Sequence, residues 1–165
     1  TIPTRDRFPM RREFADQLFK LMSDDEKIYF IIGDVGFGFF DKLKKTFPDR
    51  VINPGASEQL IVGMASGLAM DGLKPIIYSI TPFILFRPFE FIRNLINHEN
   101  LTVKIVGVGR DEDYGSLGFT HYATDDNILT DSFDNIKLFK PKSIKELNLE
   151  KFLNHDGPAY LNLRR

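Results

Sequence analysis

Glu58, His121 and Asp34 are the side chains whose type and setting in this chain point to chemistry. Glu58 follows the loop Asn53-Pro54-Gly55 and opens a segment, Gln59 to Met70, that carries no charge. A carboxylate in the first turn of a helix complements the macrodipole and can cap it. A glutamate that opens a buried helix is also poised for desolvation, and desolvation favours the protonated carboxyl, which can then hold or pass a proton. Spacing alone leaves both roles open. His121 lies in Gly118-Phe119-Thr120-His121, within a stretch rich in glycine and charge from Gly109 to about Asp125. His98 and His155, in NHEN and NHDG, fall near predicted helix ends. A partly charged imidazole is favourable there, so both read as structural or solvated. Asp34, in Gly33-Asp34-Val35-Gly36, ends the first predicted strand, where an ordinary turn aspartate is the plainer role. Gly36-x-Gly38 resembles the start of a dinucleotide loop, but Asp41 stands where the third glycine belongs. Acidic Asp34 and Asp41 would flank the pyrophosphate, which argues against a nicotinamide or flavin enzyme.

These residues need a scaffold, and the pattern of apolar runs supplies one. Phe14, Leu18, Leu21 and Met22 fall at helical spacing. Ile28 to Ile32, Val51-Ile52, Pro75 to Ile80, Val103 to Val108, Ile136 to Phe139 and Ala159 to Leu163 read as strands, several of them apolar throughout, as in strands buried on both faces. Between them the spacing predicts helices over Phe39 to Phe47, Ser57 to Met70, Phe86 to Asn97, near Ile128, and over Ser143 to Leu153. Strands separated by helices build βαβ units, hence an α/β domain with a parallel sheet of about six strands and helices on both faces. Ligands of such sheets bind beyond the carboxyl ends of the strands. The helix from Ser57 to Met70 is apolar all round, which predicts burial on all sides. Gly63 and Gly67 within it each cost about 1 kcal/mol relative to alanine, which predicts a close backbone contact.

Composition narrows the class. Apolar residues make up 42% and charged residues 27%, a globular balance that excludes disorder, collagen and coiled coil. Lys+Arg is 22 against Asp+Glu 23, so nothing points to nucleic acid or an anionic membrane. The absence of cysteine excludes disulfides, thiolate metal sites and a cysteine nucleophile. The polar start, TIPTRDRFPMRREF, does not read as a secretory signal, and no apolar run approaches the roughly 20 residues of a membrane span. The expectation is one cytoplasmic domain over residues 1–165, with its last strand complete near the C-terminus.

The segment FPDRVINPGASEQLIVGMASGLAMDGLKPIIYS resembles the pyrimidine-binding domain of transketolase-type thiamine diphosphate enzymes. The likeness rests on an Asp-Arg, a short strand, the Asn-x-Gly-x-x-Glu-Gln stretch, a small-residue helix and a Gly-x-x-Pro. It continues through PFILFRPFEFIRNLI and VKIVGVGRDEDYGSLGFTHYATDDNIL, and covers roughly Ile28 to Arg164. Transketolase and deoxyxylulose-phosphate synthase are the members most similar in pattern.

The resemblance implies roles. Glu58 would hydrogen-bond the aminopyrimidine of thiamine diphosphate and favour the imino tautomer, whose nitrogen takes the C2 proton of the thiazolium. Phe83 and Phe86 would hold the pyrimidine ring by stacking, although most of the 16 phenylalanines must be core. Arg87 resembles a position that meets phosphorylated substrates, with a surface salt bridge as the other role for it. His121 would face substrate, and Phe119 stands where the family has proline. Asp34 would lie near the thiazolium and the subunit contact. GDVG resembles the opening of the family's magnesium–diphosphate motif, but no asparagine pair follows it, so magnesium and its ligands are expected on a partner chain and no metal ligand here.

The implied protein is therefore the pyrimidine-binding half of a transketolase-like enzyme, either a natural small subunit or a piece of a longer chain. It would work as a dimer or heterotetramer with a diphosphate-binding subunit and transfer a two-carbon ketol unit between sugar-type carbonyl substrates. A decarboxylating synthase that takes pyruvate, and a non-catalytic assembly subunit, are the alternatives.

Overall fold

The computed structural model describes residues 8–165. The polar start of the chain includes residues 1–7, which lie outside the described residues. The chain runs α1 (Pro9–Asp24), β1 (Ile28–Ile32), α2 (Asp41–Thr46), β2 (Val51–Ile52), α3 (Glu58–Met70), β3 (Lys74–Ile80), α4 (Thr81–Phe86), α5 (Phe89–Phe91) continuing into a π-helical turn (Ile92–Asn97), β4 (Lys104–Val108), α6 (Asp126–Thr130), β5 (Lys137–Phe139), α7 (Leu149–Leu153) and β6 (Ala159–Leu163). The six strands form one parallel sheet in the order β2-β1-β3-β4-β6-β5. The predicted fold class is what the chain adopts.

Apolar strands alternate their loads. Phe30, Ile32, Tyr78 and Val106 point to one face, where Phe14, Leu18 and Met22 of α1 and Phe152 of α7 cover them. Ile31, Ile77 and Ile105 point to the other, against Ile61, Val62 and Ala65 of α3 and Ile92 and Ile96 of the π turn. A period of two is hidden in an unbroken apolar run because both faces are buried. From β1 the chain moves outward to β2, then returns to the other side of β1 with β3. The strand order reverses between β1 and β3, and a crevice opens beyond their carboxyl ends at such a switch point.

Three predicted helices differ from the observed ones. The helix expected from Phe86 is preceded by α4, which begins directly at the end of β3 with Pro82 in its first turn, where proline's missing N–H costs nothing. The helix expected over Ser143 to Leu153 is two pieces, a 3₁₀ turn (Ile144–Glu146) and α7, because Asn148 Oδ1 accepts from Lys151 N at 2.8 Å and caps a fresh start. Third, α3 is not buried on all sides. Leu60 and Met70 are 53% and 63% exposed, and a Cβ added at Gly63 or Gly67 would meet nothing within 4 Å. The close contact that its glycines predict does not lie within the described chain.

At the amino end of the sheet, Lys104 is buried, and its Nζ donates to the carbonyls of His155 (2.7 Å) and Gly157 (2.6 Å). Burial pushes its pKa down to about 8, with Asp156 opposing the shift. Above pH 8 the unfolded chain therefore binds more protons than the folded one, and this group's contribution to stability rises with pH toward the ordinary lysine pKa. Buried Tyr78, pushed up to about 12, acts in the opposite sense only as tyrosines ionise near pH 10. Urea unfolding at pH 8 and pH 9.5 should show the wild type gaining on Lys104→Met by about 1 kcal/mol per pH unit. A difference that stays flat across that window would disprove the shift.

Candidate active site at the switch point

Glu58 begins α3, which follows the shortest strand of the sheet, so its side chain enters the β1–β3 crevice from above. It is 3% exposed. Its Oε1 accepts from Ser79 Oγ at 3.2 Å, and its Oε2 accepts from Arg87 Nη1 at 2.9 Å. Ser79 is a polar residue in the otherwise apolar carboxyl half of β3, and Gly33 makes room for it: a Cβ on Gly33 would stand 3.1 Å from Ser79 Oγ and 3.2 Å from Ile61 Cδ1. The carboxylate is desolvated as the sequence predicts, but not alone. A buried charge persists where it is paired and hydrogen-bonded, and Ser79, Arg87 and the positive end of α3 meet that requirement.

Arg87 lies at the end of α4 and is about half exposed. Its guanidinium carbon sits 3.9 Å from the centre of the Phe83 ring, a cation–π contact. Phe83 in turn meets the His121 ring edge-on at 4.9 Å, and Tyr114 approaches the same imidazole at 5.9 Å. Thr120 Oγ1 lies 3.0 Å from His121 Nδ1. Glu58, Arg87, Phe83 and His121 thus form one continuous line across the carboxyl edge of β3 and β4. Phe86 is turned outward and shares a cleft of about 370 Å³ with Phe83, Arg87, Phe119 and Tyr122. A second cleft, about 560 Å³, is lined by Ser57, Glu58, Gln59, Leu60 and Arg87. Arg87 is the wall between the two. A wider cleft, about 720 Å³, lies between β5 and α7, but its carboxylates, Glu146 and Asp156, are exposed, and none is desolvated as Glu58 is.

Asp34 does not touch Glu58. It is exposed, adopts φ of 51°, and exchanges two 3.1 Å hydrogen bonds with Asn53, whose Oδ1 also accepts from Gly55 N. Aspartate tolerates that left-handed backbone better than most residues. Its visible action is to tie the loop after β1 to the loop that delivers Glu58. Sequence reasoning passed over Asn53 and Ser79. An Asn-Pro-Gly turn and a lone serine in an apolar strand were the signals that could have found them. Among the described residues, no three His, Asp or Glu side chains stand close enough to hold a metal ion.

Comparison with known proteins agrees with this geometry. Residues 6–165 match the family model of the transketolase pyrimidine-binding domain. One of the two subunits of an apulose-4-phosphate transketolase from Actinobacillus succinogenes is 36% identical over 121 residues, 72% of this chain and 39% of that protein. A 1-deoxy-D-xylulose-5-phosphate synthase from Prochlorococcus marinus is 33% identical over 155 residues, 92% of this chain and 24% of that one. A solved structure described as a split gene transketolase, inactive beta4 tetramer, superimposes with a TM-score of 0.82 at 28% identity, over 94% of this chain and 50% of that one. The chain spans at most about half the length of these relatives. With the sheet, the Glu58 crevice and the match all in register, the chain belongs to the transketolase pyrimidine-binding domain family.

Proposed function

We propose that this chain is the pyrimidine-binding half of a cytoplasmic, thiamine diphosphate-dependent transferase that moves a two-carbon ketol unit between sugar-type carbonyl compounds. One observation carries the reading: a buried carboxylate, Glu58, and an aromatic face, Phe83, bracket the planar guanidinium of Arg87. A flat, nitrogen-rich ring needs the same two things, an acceptor in its plane and a π surface against its face. The residues therefore fit an aminopyrimidine, provided that it takes the place Arg87 now fills. Bound thiamine diphosphate supplies a thiazolium carbon that bonds to the substrate carbonyl after losing its proton. The chain's own share is positional and protonic. Glu58 accepts a hydrogen bond from a ring nitrogen and holds a proton there, Phe83 fixes the ring plane with Phe86 closing the outer side, and Arg87, displaced from Glu58, is free to meet an anionic substrate group. His121, set against Phe83, donates to or accepts from a substrate oxygen. Asp34 holds the mouth of the site beside Asn53.

The diphosphate and its magnesium fall to a second polypeptide on this reading. In support, large apolar side chains stand in solvent around the crevice: Leu60 on α3, Phe37 after β1, and Leu117 and Phe119 after β4. Two of the relatives, by their names a transketolase subunit and a split gene transketolase, are themselves divided between chains. Among the described residues no helix is long and apolar enough to cross a membrane. The synthase relative favours a second reading, a pyruvate-consuming enzyme, and a comparison of ketose phosphates with pyruvate as donor separates the two.

Three outcomes are expected. The isolated chain should bind thiamine diphosphate with a Kd above about 0.1 mM by calorimetry, since it offers half a site that Arg87 already occupies. Micromolar binding would contradict the division of labour. In the assembled enzyme, Glu58→Gln should slow exchange of the thiazolium C2 proton by about a hundredfold or more without loss of assembly, and unchanged exchange would remove the role given to Glu58. His121→Asn should leave that exchange intact and lower kcat/KM by about tenfold to a hundredfold, because it acts on substrate and not on the ring. Loss of both together would place His121 elsewhere in the mechanism.

A further inference from the structure

The loop that carries His121 leaves the sheet after β4 and returns at α6. Each end bears a buried charge, Arg110 at the start and Asp126 at the finish. They do not meet. Between them stands Asn162 of β6, wholly buried. Arg110 Nε donates to Asn162 Oδ1 at 2.5 Å, and Arg110 Nη2 donates to the Asn162 carbonyl. On its other side Asn162 Nδ2 donates to Asp126 Oδ2 at 2.6 Å and to Tyr160 OH at 2.9 Å. A carboxamide offers an acceptor and a donor from one planar group, so it can face a cation with one atom and an anion with the other. An aspartate here would set two carboxylates against each other, and a leucine would leave both charges buried without partners.

The surroundings confine this arrangement. Gly107 pairs with Asn162 in the β4–β6 register, and a Cβ on Gly107 would come within 2.8 Å of both Thr81 Oγ1 and Tyr160 OH. Thr81 Oγ1 donates to the carbonyl of Gly109, at the loop's first residue. Just above, Asp111 and Ala123 form a two-residue antiparallel bridge in which Ala123 N donates to Asp111 O at 2.8 Å. Beyond that pinch the loop is two 3₁₀ turns whose outer residues, Leu117 and Phe119, stand in solvent. A buried polar network that is fully satisfied selects one arrangement among several of similar packing quality.

We propose that Asn162 is a positioning residue for His121: its amide joins the opposite charges at the two ends of the loop and so fixes where the imidazole sits over Phe83. It reaches neither Glu58 nor the clefts, and the inference holds whatever the enzyme's substrate.

The test uses a polarity exchange in the full chain, read by the nuclear Overhauser contact between the Phe83 and His121 rings and by hydrogen exchange of the Ala123 amide. Asp126→Asn should retain the contact, since its carboxamide oxygen still accepts from Asn162. Asn162→Asp should lose the ring contact and speed Ala123 exchange by about tenfold or more. The double variant Asn162→Asp/Asp126→Asn restores a cation, an acceptor, a donor and an acceptor in reversed order, and should recover both signals. The Lys140–Asp126 contact, at 3.8 Å, is absent from Asp126→Asn and from the double variant alike, so it cancels between them. Retention of the ring contact in Asn162→Asp overturns the inference. So does a double variant whose melting temperature recovers while the contact does not, which is the outcome of a purely structural role. If Asn162→Asp fails to fold, the double variant decides alone: folding with the contact supports the proposal, and failure to fold or to regain the contact refutes it.

Discussion

A carboxylate taken out of water must be given something in return, and the site is organised by what Glu58 is given. Ser79 reaches it from the strand below, Arg87 from the helix beside it, and the start of α3 places positive backbone charge at its root. Each donor constrains a neighbour. Ser79 occupies the space that a side chain on Gly33 would need, so the strand that ends in Asp34 has to pass without a Cβ at that point. Arg87 reaches Glu58 only because α4 begins at once after β3 and turns its last residue back over the crevice. The same guanidinium rests on Phe83, and Phe83 is the surface on which His121 is placed. Removing the charge at Glu58 would therefore loosen a chain of contacts and not one bond.

The parallel sheet explains why these groups converge. Its strands all end at one edge, and both faces are closed by α1 and α7 on one side and α3 with the π turn on the other. Backbone and polar side chains with functions have nowhere to emerge except at the strand ends. The reversal of strand order between β1 and β3 separates the loops there, and the opening is wide enough for the first residue of α3 to point inward. The loop after β4 then forms the far wall. It is long, carries little apolar burial of its own, and is secured at its base by Arg110, Asn162 and Asp126. Rigid strands below and a tethered loop above leave a surface whose geometry is set before any ligand arrives.

Strands were the most legible elements, because Ile28–Ile32, Lys104–Val108 and Ala159–Leu163 are apolar runs too short for helices and bounded by polar or glycine residues. The start of α3 was legible within one residue from the Pro-Gly turn and the glutamate after it. By contrast α4, TPFILF, continues the apolar run of β3 without a change of pattern, and periodicity has no means of finding such a boundary. In the site, Glu58, His121 and Phe83 could be named from their types and setting. The occupation of Glu58 by Arg87 could not, since the two lie 29 residues apart and meet only through the turn of α4. Asn162 was illegible for a related reason: a single polar residue in a buried strand announces that partners exist, but not which ones.

The open face of α3 ties association to chemistry. Ile61, Val62 and Ala65 fasten the helix to the sheet, while Leu60, Gly63, Gly67 and Met70 look away from it. Two glycines on a solvent face weaken a helix by about 1 kcal/mol each and gain nothing in return from this chain. Their benefit has to come from a surface that approaches the backbone closely, and Leu60 and Met70 supply apolar area for it. Glu58 begins that same helix, one turn from Leu60, and Leu60 also lines the cleft beside the carboxylate. A partner that packs on α3 therefore also closes the cleft, excludes water from Glu58 on its remaining side and strengthens every electrostatic contact the carboxylate makes. On the proposed reading, assembly and activation of the site are one event: the helix that presents the acid is also the surface that recruits the partner.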